Sequence, residues 1–377
     1  MRNDKNLVIV NQDSGYLMID VAHAFQEAGY HVTLIAGRLV ERNIPLSKEI
    51  EVCKIIKYNK SNTFQRLNTW IWAAIQIYFL ILIRFRNSEI LFVSNPPVAP
   101  LLSIGLRNRF SILIYDVYPD ALIDAQVIRK NSFVANCWKK LNRKAFLKST
   151  KIYTISEGMK QTLLQYTNEF KLKVVPIWAD NEFLHPVNPN QNIFIQKYGL
   201  QDKFIVLYSG NLGKTGDADI MVELAKKTDD KNIHYVIIGD GVKRADIENQ
   251  IKESRIDNCT LLPWQESTML PYSLSCASLA VVALGSQTSK IAMPSKLYSY
   301  LAVGAPILSL AAQDSDLAVL VEKERVGRNI NPDKIDAILQ FVIDLKSDIS
   351  KQTIFSENAL KTSLMFTKTN AKLFIEN

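Results

Sequence analysis

Pro294, Ser295 and Lys296 open the stretch with the clearest chemistry, GSQTSKIAMPSKLYSYLAVGAPILSL, over residues 285–310. Proline suits a first helical position and serine can cap free amides, so a helix starts here. Leu297 and Leu301 stand four apart and give it one apolar face. Gly304 stops the helix, and Ile307 and Leu308 begin a strand. Such a helix start offers N–H groups without partners and a partial positive charge. Lys290, Lys296 and the hydroxyls of Ser289 and Ser295 stand beside it. Together they suit a phosphate or diphosphate. The plainer alternative is a surface helix with a good cap.

Carboxylates and glycine loops supply the remaining candidates. Asp116 and Asp120, in YDVYPD, follow a strand over 111–115. There a carboxylate can accept a hydrogen bond from a hydroxyl or act as a base. Alternatively, Asp120 merely caps the next helix after its proline turn. Gly15 lies in the turn NQDSGY, which is not a GxGxxG fingerprint; it serves a ligand or simply makes the turn. GNLGKTGD carries Gly210, Asn211, Gly213 and Lys214, and GDG carries Gly239 and Gly241. With the stretch over 289–297, three strand ends of the second half thus bear loops able to approach a ligand on one sheet edge. The four cysteines, at 53, 137, 259 and 276, form no CxxC pair and join no histidine cluster. Neither a metal site, a disulfide framework nor a cofactor is expected.

Strand and helix must alternate to place these residues. The first half reads as strands near 7–10, 31–35, 50–56, 89–93, 111–115, 151–155 and 172–176. Helical patterns cover 17–28, 132–147 and SEGMKQTLLQY, which Ser156 caps. A Pro- and Asn-rich break, PIWADNEFLHPVNPNQN, precedes a second alternation. Its strands fall near 204–209, 234–238, 260–263 and 279–284, and its helices at 220–227, 244–253 and 269–276. Each series predicts a parallel sheet. The expected division is 1–190, 191–345, and a helical tail over 346–377 that packs back on the first domain. At 377 residues with 47% apolar usage, two cores are affordable.

Charge is uneven along the chain. Residues 1–190 hold 24 Lys+Arg against 15 Asp+Glu, and residues 191–377 hold 21 against 22. Eight basic residues and no acidic one fall between Arg129 and Lys151. Such a cluster draws anionic partners, or is an ordinary solvated helix. The segment from Trp70 to Ile83 is the most apolar. Fourteen helical residues rise about 21 Å, short of a hydrocarbon core of about 30 Å. A core helix is the expectation. The alternative is one dipping into an anionic bilayer surface, with Arg84 and Arg86 at the head groups. The start, MRNDKNLVIV, shows no signal-peptide pattern, which points to the cytoplasm or the inner face of the plasma membrane.

These segments resemble the bacterial family 4 glycosyltransferases. The matching text is VLYSGNLG, VIIGDG, LLPWQ and MPSKLYSYLAVGAPIL, with NQDSGY, YDVYPD, YTISEGMK and VVPIWADNEFLHP in the first half. The similarity covers about residues 6–330. It implies an α/β, GT-B fold of two doubly wound Rossmann-like domains facing a cleft. It also implies metal-independent, retaining sugar transfer from a UDP- or GDP-linked donor. Gly210, Asn211 and Gly241 would approach the donor, and Pro263 and Trp264 would lie near its base. Lys214, Ser295, Lys296 and the amide of Leu297 would hold its diphosphate, and Gly15 would sit beneath it. The acceptor would enter beside Asn95, Asp116, Tyr118 and Asp120; the basic, aromatic-rich first half suits a glycan carried on polyprenyl diphosphate, the alternative being another glycan.

The chain departs from that pattern in two places. Many members carry two glutamates eight positions apart; here Ile291 and Ser299 stand there. Their usual arginine after the first strand of the second domain is Asn211. Ser299 could still reach a ribose hydroxyl, through a weaker neutral hydrogen bond. A non-catalytic subunit that binds a partner enzyme is therefore the second reading. A sugar-nucleotide epimerase would need acidic and histidine groups at the strand ends, and His23, His31, His185 and His234 lie elsewhere. No nucleic-acid recognition module accompanies the basic patch.

Overall fold

The computed structural model describes residues 5–42, 44–124, 127–213, 218–284 and 293–376. Lys214, Ser289, Lys290 and Ile291 therefore lie outside the described residues. The chain divides into two compact units, Met1–Ile177 with Lys368–Asn377, and Trp178–Thr367.

The first unit is built on seven parallel strands: β1 (Lys5–Val10), β2 (Tyr30–Ala36), β3 (Glu51–Lys54), β4 (Glu89–Val93), β5 (Phe110–Ile114), β6 (Ile152–Thr154) and β7 (Leu172–Val174). Their order is β3-β2-β1-β4-β5-β6-β7. Val8 faces Thr33 on one side and Ile90 on the other. Leu7 to Val10 are all buried, as expected for a strand covered by helices on both faces. Three helices matter here: α1 (Tyr16–Glu27), α2 (Thr63–Ile83) and α3 (Phe133–Lys148). Side-chain oxygens cap two of them, Asn62 accepting from the Gln65 amide and Ser132 from the Ala135 amide. A short ribbon, Asp13–Ser14 against Arg38–Leu39, follows β1 and β2.

Two expectations for this unit change. Helix α2 is 21 residues long and starts at Thr63, about two turns before the apolar run. It is also not a core helix. Its inner face (Trp70, Ala73, Ile77 and Ile81) is buried, but Phe64, Ile71, Ile75, Phe79 and Ile83 are exposed. From Trp70 to Ile83 only Gln76 is clearly polar, so the run gives no polar stripe from which to read its outward side.

The second unit carries six parallel strands: β8 (Phe204–Ser209), β9 (Ile233–Ile238), β10 (Cys259–Leu262), β11 (Leu279–Ala283), β12 (Ile307–Leu310) and β13 (Gly327–Ile330). They run β10-β9-β8-β11-β12-β13, the doubly wound order that reverses between its first and fourth strands. Its core joins Val206, Tyr208, Ile237, Val281 and Leu308 of the sheet to Met221 and Leu224 of α4 (Ile220–Lys227). Helices α5 (Arg244–Glu253) and α6 (Ser295–Ala302) follow β9 and β11. The edge strand β13 has no apolar run to announce it. It fits because Gly327 leaves room for the Ile307 carbonyl, which an added Cβ would meet at 1.7 Å.

The boundaries differ from those expected. Residues after Ile177 already belong to the second unit, because Trp178 and Ala179 are buried. The Ala179 amide donates to the Phe366 carbonyl at 3.3 Å, and Asn181 Nδ2 to the Ser363 carbonyl at 3.1 Å. The tail also divides. Helices α7 (Ile335–Ser347) and α8 (Ile349–Ser363) stay with the second unit, α8 packing on α6 and α7. Only the last residues rejoin the first unit. There Tyr153 Oη donates to the Phe374 carbonyl at 2.9 Å, and Lys173 Nζ to the Leu373 carbonyl at 2.8 Å.

Candidate active site

In the second unit, the carboxyl edge of the sheet opens where the strand order reverses. Strands β8 and β11 pair only through Val206 with Leu279 and Leu207 with Ala280. Beyond that they part, and side chains of α6 fill the gap. The Ser209 amide, left without a ladder partner on β11, donates to Tyr300 Oη at 2.7 Å. Lys296 precedes Tyr300 by four residues and so lies on the same helix face. Its ammonium lies 3.6 Å from the centroid of the Tyr208 ring. This is cation–π contact inside van der Waals reach.

Gly210 makes room for that ammonium. A Cβ there would lie 2.5 Å from Lys296 Nζ. As a residue Lys296 is partly accessible, yet protein surrounds its head group and no carboxylate among the described residues pairs with it. Desolvation lowers its pKa from the ordinary 10.5 to about 7. The site therefore holds a cation that an incoming anion would relieve.

The neighbouring loops are locked together by backbone. The Gly210 amide donates to the Ile238 carbonyl and the Leu212 amide to the Asp240 carbonyl, each at 2.9 Å. Gly239 and Gly241 both have φ of +152°, and a Cβ on Gly241 would stand 2.5 Å from the Leu212 carbonyl oxygen and 2.9 Å from Asn211 Oδ1. Gly241 is thus needed for loop-against-loop packing, whatever else approaches it. Arg244 Nη1, from α5, donates to the carbonyls of Gly239 at 2.6 Å and Leu262 at 3.1 Å, tying the ends of β9 and β10. Just past β10, Pro263 and Trp264 are exposed on the same edge.

At the start of α6 the expected roles are exchanged. Pro294 is the cap residue, with ψ of 122°, and Ser295 is the first helical residue; no side chain caps the helix. The Leu297 amide is already spent, donating to the Pro294 carbonyl at 3.1 Å. The amides of Ser295 and Lys296 find no acceptor among the described residues. Ser295 is exposed and Ser299 is half-buried.

The corresponding edge of the first sheet is braced differently. The Gln12 amide donates to the Asn95 carbonyl at 2.7 Å, and the Tyr115 amide to Ser94 Oγ at 2.9 Å. Gly15 precedes α1 with φ of −133°, and a Cβ there would meet only the Val40 carbonyl oxygen, at 4.0 Å. Neither strain nor crowding among the described residues requires glycine here. Asp13, beside it, binds Arg38 at 2.5 Å and Lys60 at 2.9 Å. Hydrogen bonds and charge from both cations hold its pKa low, against the burial that raises it.

The two aspartates of YDVYPD separate in role. Both Asp120 oxygens are occupied, by Lys139 Nζ at 3.1 Å and by Tyr166 Oη at 2.5 Å. That pairing anchors the loop, and no capping bond from Asp120 accounts for it. Asp116 has no hydrogen-bond partner among the described residues. Its side chain reaches solvent, but its surroundings desolvate the carboxylate and raise its pKa. Tyr118 stacks on Trp138 of α3 with centroids 6.0 Å apart and meets Trp70 of α2 edge-on at 6.3 Å.

Tyr208, Tyr300, Arg38 and Lys60 were not candidates by sequence. Only the spacing of Lys296 and Tyr300 on one helix face was a usable signal.

The comparisons with known proteins fit this architecture. Residues 190–362 match the family described as Glycosyl transferases group 1. The match spans nearly all of the second unit and includes Gly210, Gly241 and Lys296. The fold is GT-B, and the chain is a glycosyltransferase whose second unit is a group 1 domain. The probable glycosyltransferase WbjE of Pseudomonas aeruginosa is 22% identical over 310 residues, 79% of this chain and 76% of that protein. Anabaena Alr3699/HepE, solved with UDP-glucose, superposes with a TM-score of 0.74 at 12% identity over 98% of both chains. WaaG, a glycosyltransferase involved in lipopolysaccharide biosynthesis, gives 0.70 at 14% identity over 99% of this chain and 100% of its own.

Proposed function

We propose that this chain is a retaining family 4 enzyme that moves a sugar from a nucleoside diphosphate to a glycan acceptor. The acceptor is carried on polyprenyl diphosphate, and the product is a surface polysaccharide assembled at the inner face of the plasma membrane. The observation that carries the reading is Lys296, a desolvated cation beneath Gly210 at the strand-order reversal. Open α/β sheets bind phosphates at that position.

The step breaks the bond between the anomeric carbon and the diphosphate and forms one to the acceptor oxygen. Negative charge then grows on the departing diphosphate. Lys296 and the amides of Ser295 and Lys296 stabilise it without metal, and Lys214 adds a second cation. The Leu297 amide drops out of this set because Pro294 already accepts from it. Asn211 and Ser299 contact the nucleoside and sugar, Pro263 and Trp264 face the base, and Gly15 sits beneath the diphosphate. The acceptor hydroxyl gives its proton to the departing phosphate oxygen or to Asp116, which has no partner among the described residues and a raised pKa.

UDP is the first nucleotide to test, since Alr3699/HepE was solved with UDP-glucose. The experiment is a thermal-shift panel of UDP, GDP, ADP and their sugar conjugates, with and without magnesium. A selective shift that magnesium does not change supports the reading. A second reading, a degenerate subunit serving a partner enzyme, is favoured by the neutral Ser299 on α6 where the family glutamate stands. No shift with any nucleotide would select it.

A further inference from the structure

We propose that α2 is an interfacial membrane anchor, lying in the plane of an anionic bilayer with its outer face among head groups and upper acyl chains.

The outer face is large and apolar. Phe64 is 75% exposed, Ile71 58%, Phe79 53% and Ile83 75%. Their spacing of seven, eight and four residues puts them on one side of the helix. Residues 67–83 carry no charge, a length of about 26 Å at about 1.5 Å per residue. A contiguous apolar surface of this size marks a contact site.

Charge selects the occupant. Arg66 stands at one end of the uncharged run, and Arg84 and Arg86 at the other. The aromatic chain Trp70–Tyr118–Trp138 links α2 to α3. Helix α3 carries five basic residues and no acidic one, and Phe133 and Val134 at its start are exposed. Two copies of this surface would bring like charges together, whereas an anionic bilayer complements it.

Packing selects the orientation. Trp70, Ala73, Ile77 and Ile81 are buried in the first unit, so α2 remains part of that fold and does not leave it to cross the bilayer. A helix with one face on protein and the other apolar lies in the interface. The same aromatic chain then holds Tyr118, and with it the Asp116–Asp120 loop, near head-group depth. For a lipid-linked acceptor this places the base where the sugar emerges; that corollary rests on the proposed function, and the anchor does not.

The test is co-sedimentation of the full chain with vesicles of phosphatidylcholine alone or with about one third phosphatidylglycerol, at low and high salt. We expect binding to the anionic vesicles that weakens with salt. The double variant Ile75→Asp/Phe79→Asp should lower the partition coefficient at least tenfold. Ile349→Asp/Ile354→Asp, which charges exposed apolar positions of α8, should leave it unchanged. Any nucleotide-induced thermal shift should be equal in all three proteins and shows that they are folded; circular dichroism serves if no nucleotide binds. Failure to bind anionic vesicles, or equal loss in both variants, would overturn the anchor. So would a dimer in light scattering that only the α2 variant dissociates, which would assign the face to a second copy.

Discussion

The two sheets share a strand order and leave opposite charges unpaired at their carboxyl edges. In the second unit a cation, Lys296, has no carboxylate partner among the described residues and is held against Tyr208 beneath Gly210. In the first unit Arg38 and Lys60 bind Asp13, and Lys139 binds Asp120. An acid there, Asp116, has no partner among the described residues and a raised pKa. One topology thus yields an edge suited to a diphosphate and an edge suited to a hydroxyl. The difference lies in which charge the local packing fails to neutralise, since the backbone order is common to both.

The sharpest way to break this contrast is to remove the cation. A hydrogen bond to a charged group is worth about 1.5–3 kcal/mol, so Lys296→Ala should weaken nucleotide binding about 10- to 150-fold by calorimetry. Lys226→Ala, exposed on α4, should change nothing. Equal affinities would sink the assignment. The pH dependence has a definite sign. The folded-state pKa of about 7 lies below the ordinary 10.5, so between those values the unfolded chain binds the extra proton. Stability should therefore rise with pH across that window, and the variant should lose the slope. Nucleotide affinity should do the reverse, falling above pH 7 because the bound diphosphate needs the ammonium. The next effect in size belongs to Gly210→Ala. The new methyl collides with the end of a flexible side chain, at 2.5 Å from Nζ, so the ammonium moves and the fold stays. About a tenfold loss of nucleotide affinity with an almost unchanged melting temperature is expected.

Much of the frame of this contrast was legible beforehand. Strands β4 and β8, and helices α4 and α5, fall where the apolar runs and turn glycines placed them. Continuous apolar strands with short loops leave little freedom in a parallel sheet. What could not be read were contacts between elements distant in sequence. Nothing in KLYSYL says that Lys296 folds back over Tyr208, because that depends on where β8 and β11 part. Likewise, Asp120 and Asp116 look equivalent until Tyr166, 46 residues beyond Asp120, takes one of them. The cap of α6 stands one residue earlier than expected, on Pro294, since Pro294 and Ser295 favour adjacent positions at a helix start. Helix α2 was legible as a helix but its outward face was not, for want of any polar stripe.

Removing the acid probes the other edge with a smaller effect. Folded-state burial raises the Asp116 pKa above its ordinary 3.8, so the stability it allows is present below that value and is lost as pH rises through the raised one. Asp116→Asn should therefore raise the melting temperature at neutral pH. It should also lower kcat/KM for the acceptor about tenfold, as loss of one charged hydrogen bond does. Nucleotide affinity should not move. A matching loss of nucleotide affinity would mean that the two edges are not separate in function, and the contrast between them would fail.

The smallest effect sharpens the one position that neither edge explains. Gly15 has an extended backbone and space for a methyl group, with its closest described neighbour at 4.0 Å. If the turn alone required it, alanine would be forbidden, yet nothing in the turn forbids it. Gly15→Ala should raise stability by about 0.4–1 kcal/mol, since the unfolded chain loses freedom and the folded one gains no strain. If the diphosphate passes over this residue, the same methyl obstructs it, and turnover falls while the protein becomes more stable. Stability and activity moving in opposite directions would give Gly15 a ligand role. A stabilised variant with full activity would make it an ordinary turn residue, and the donor would then be held by the second unit's edge alone.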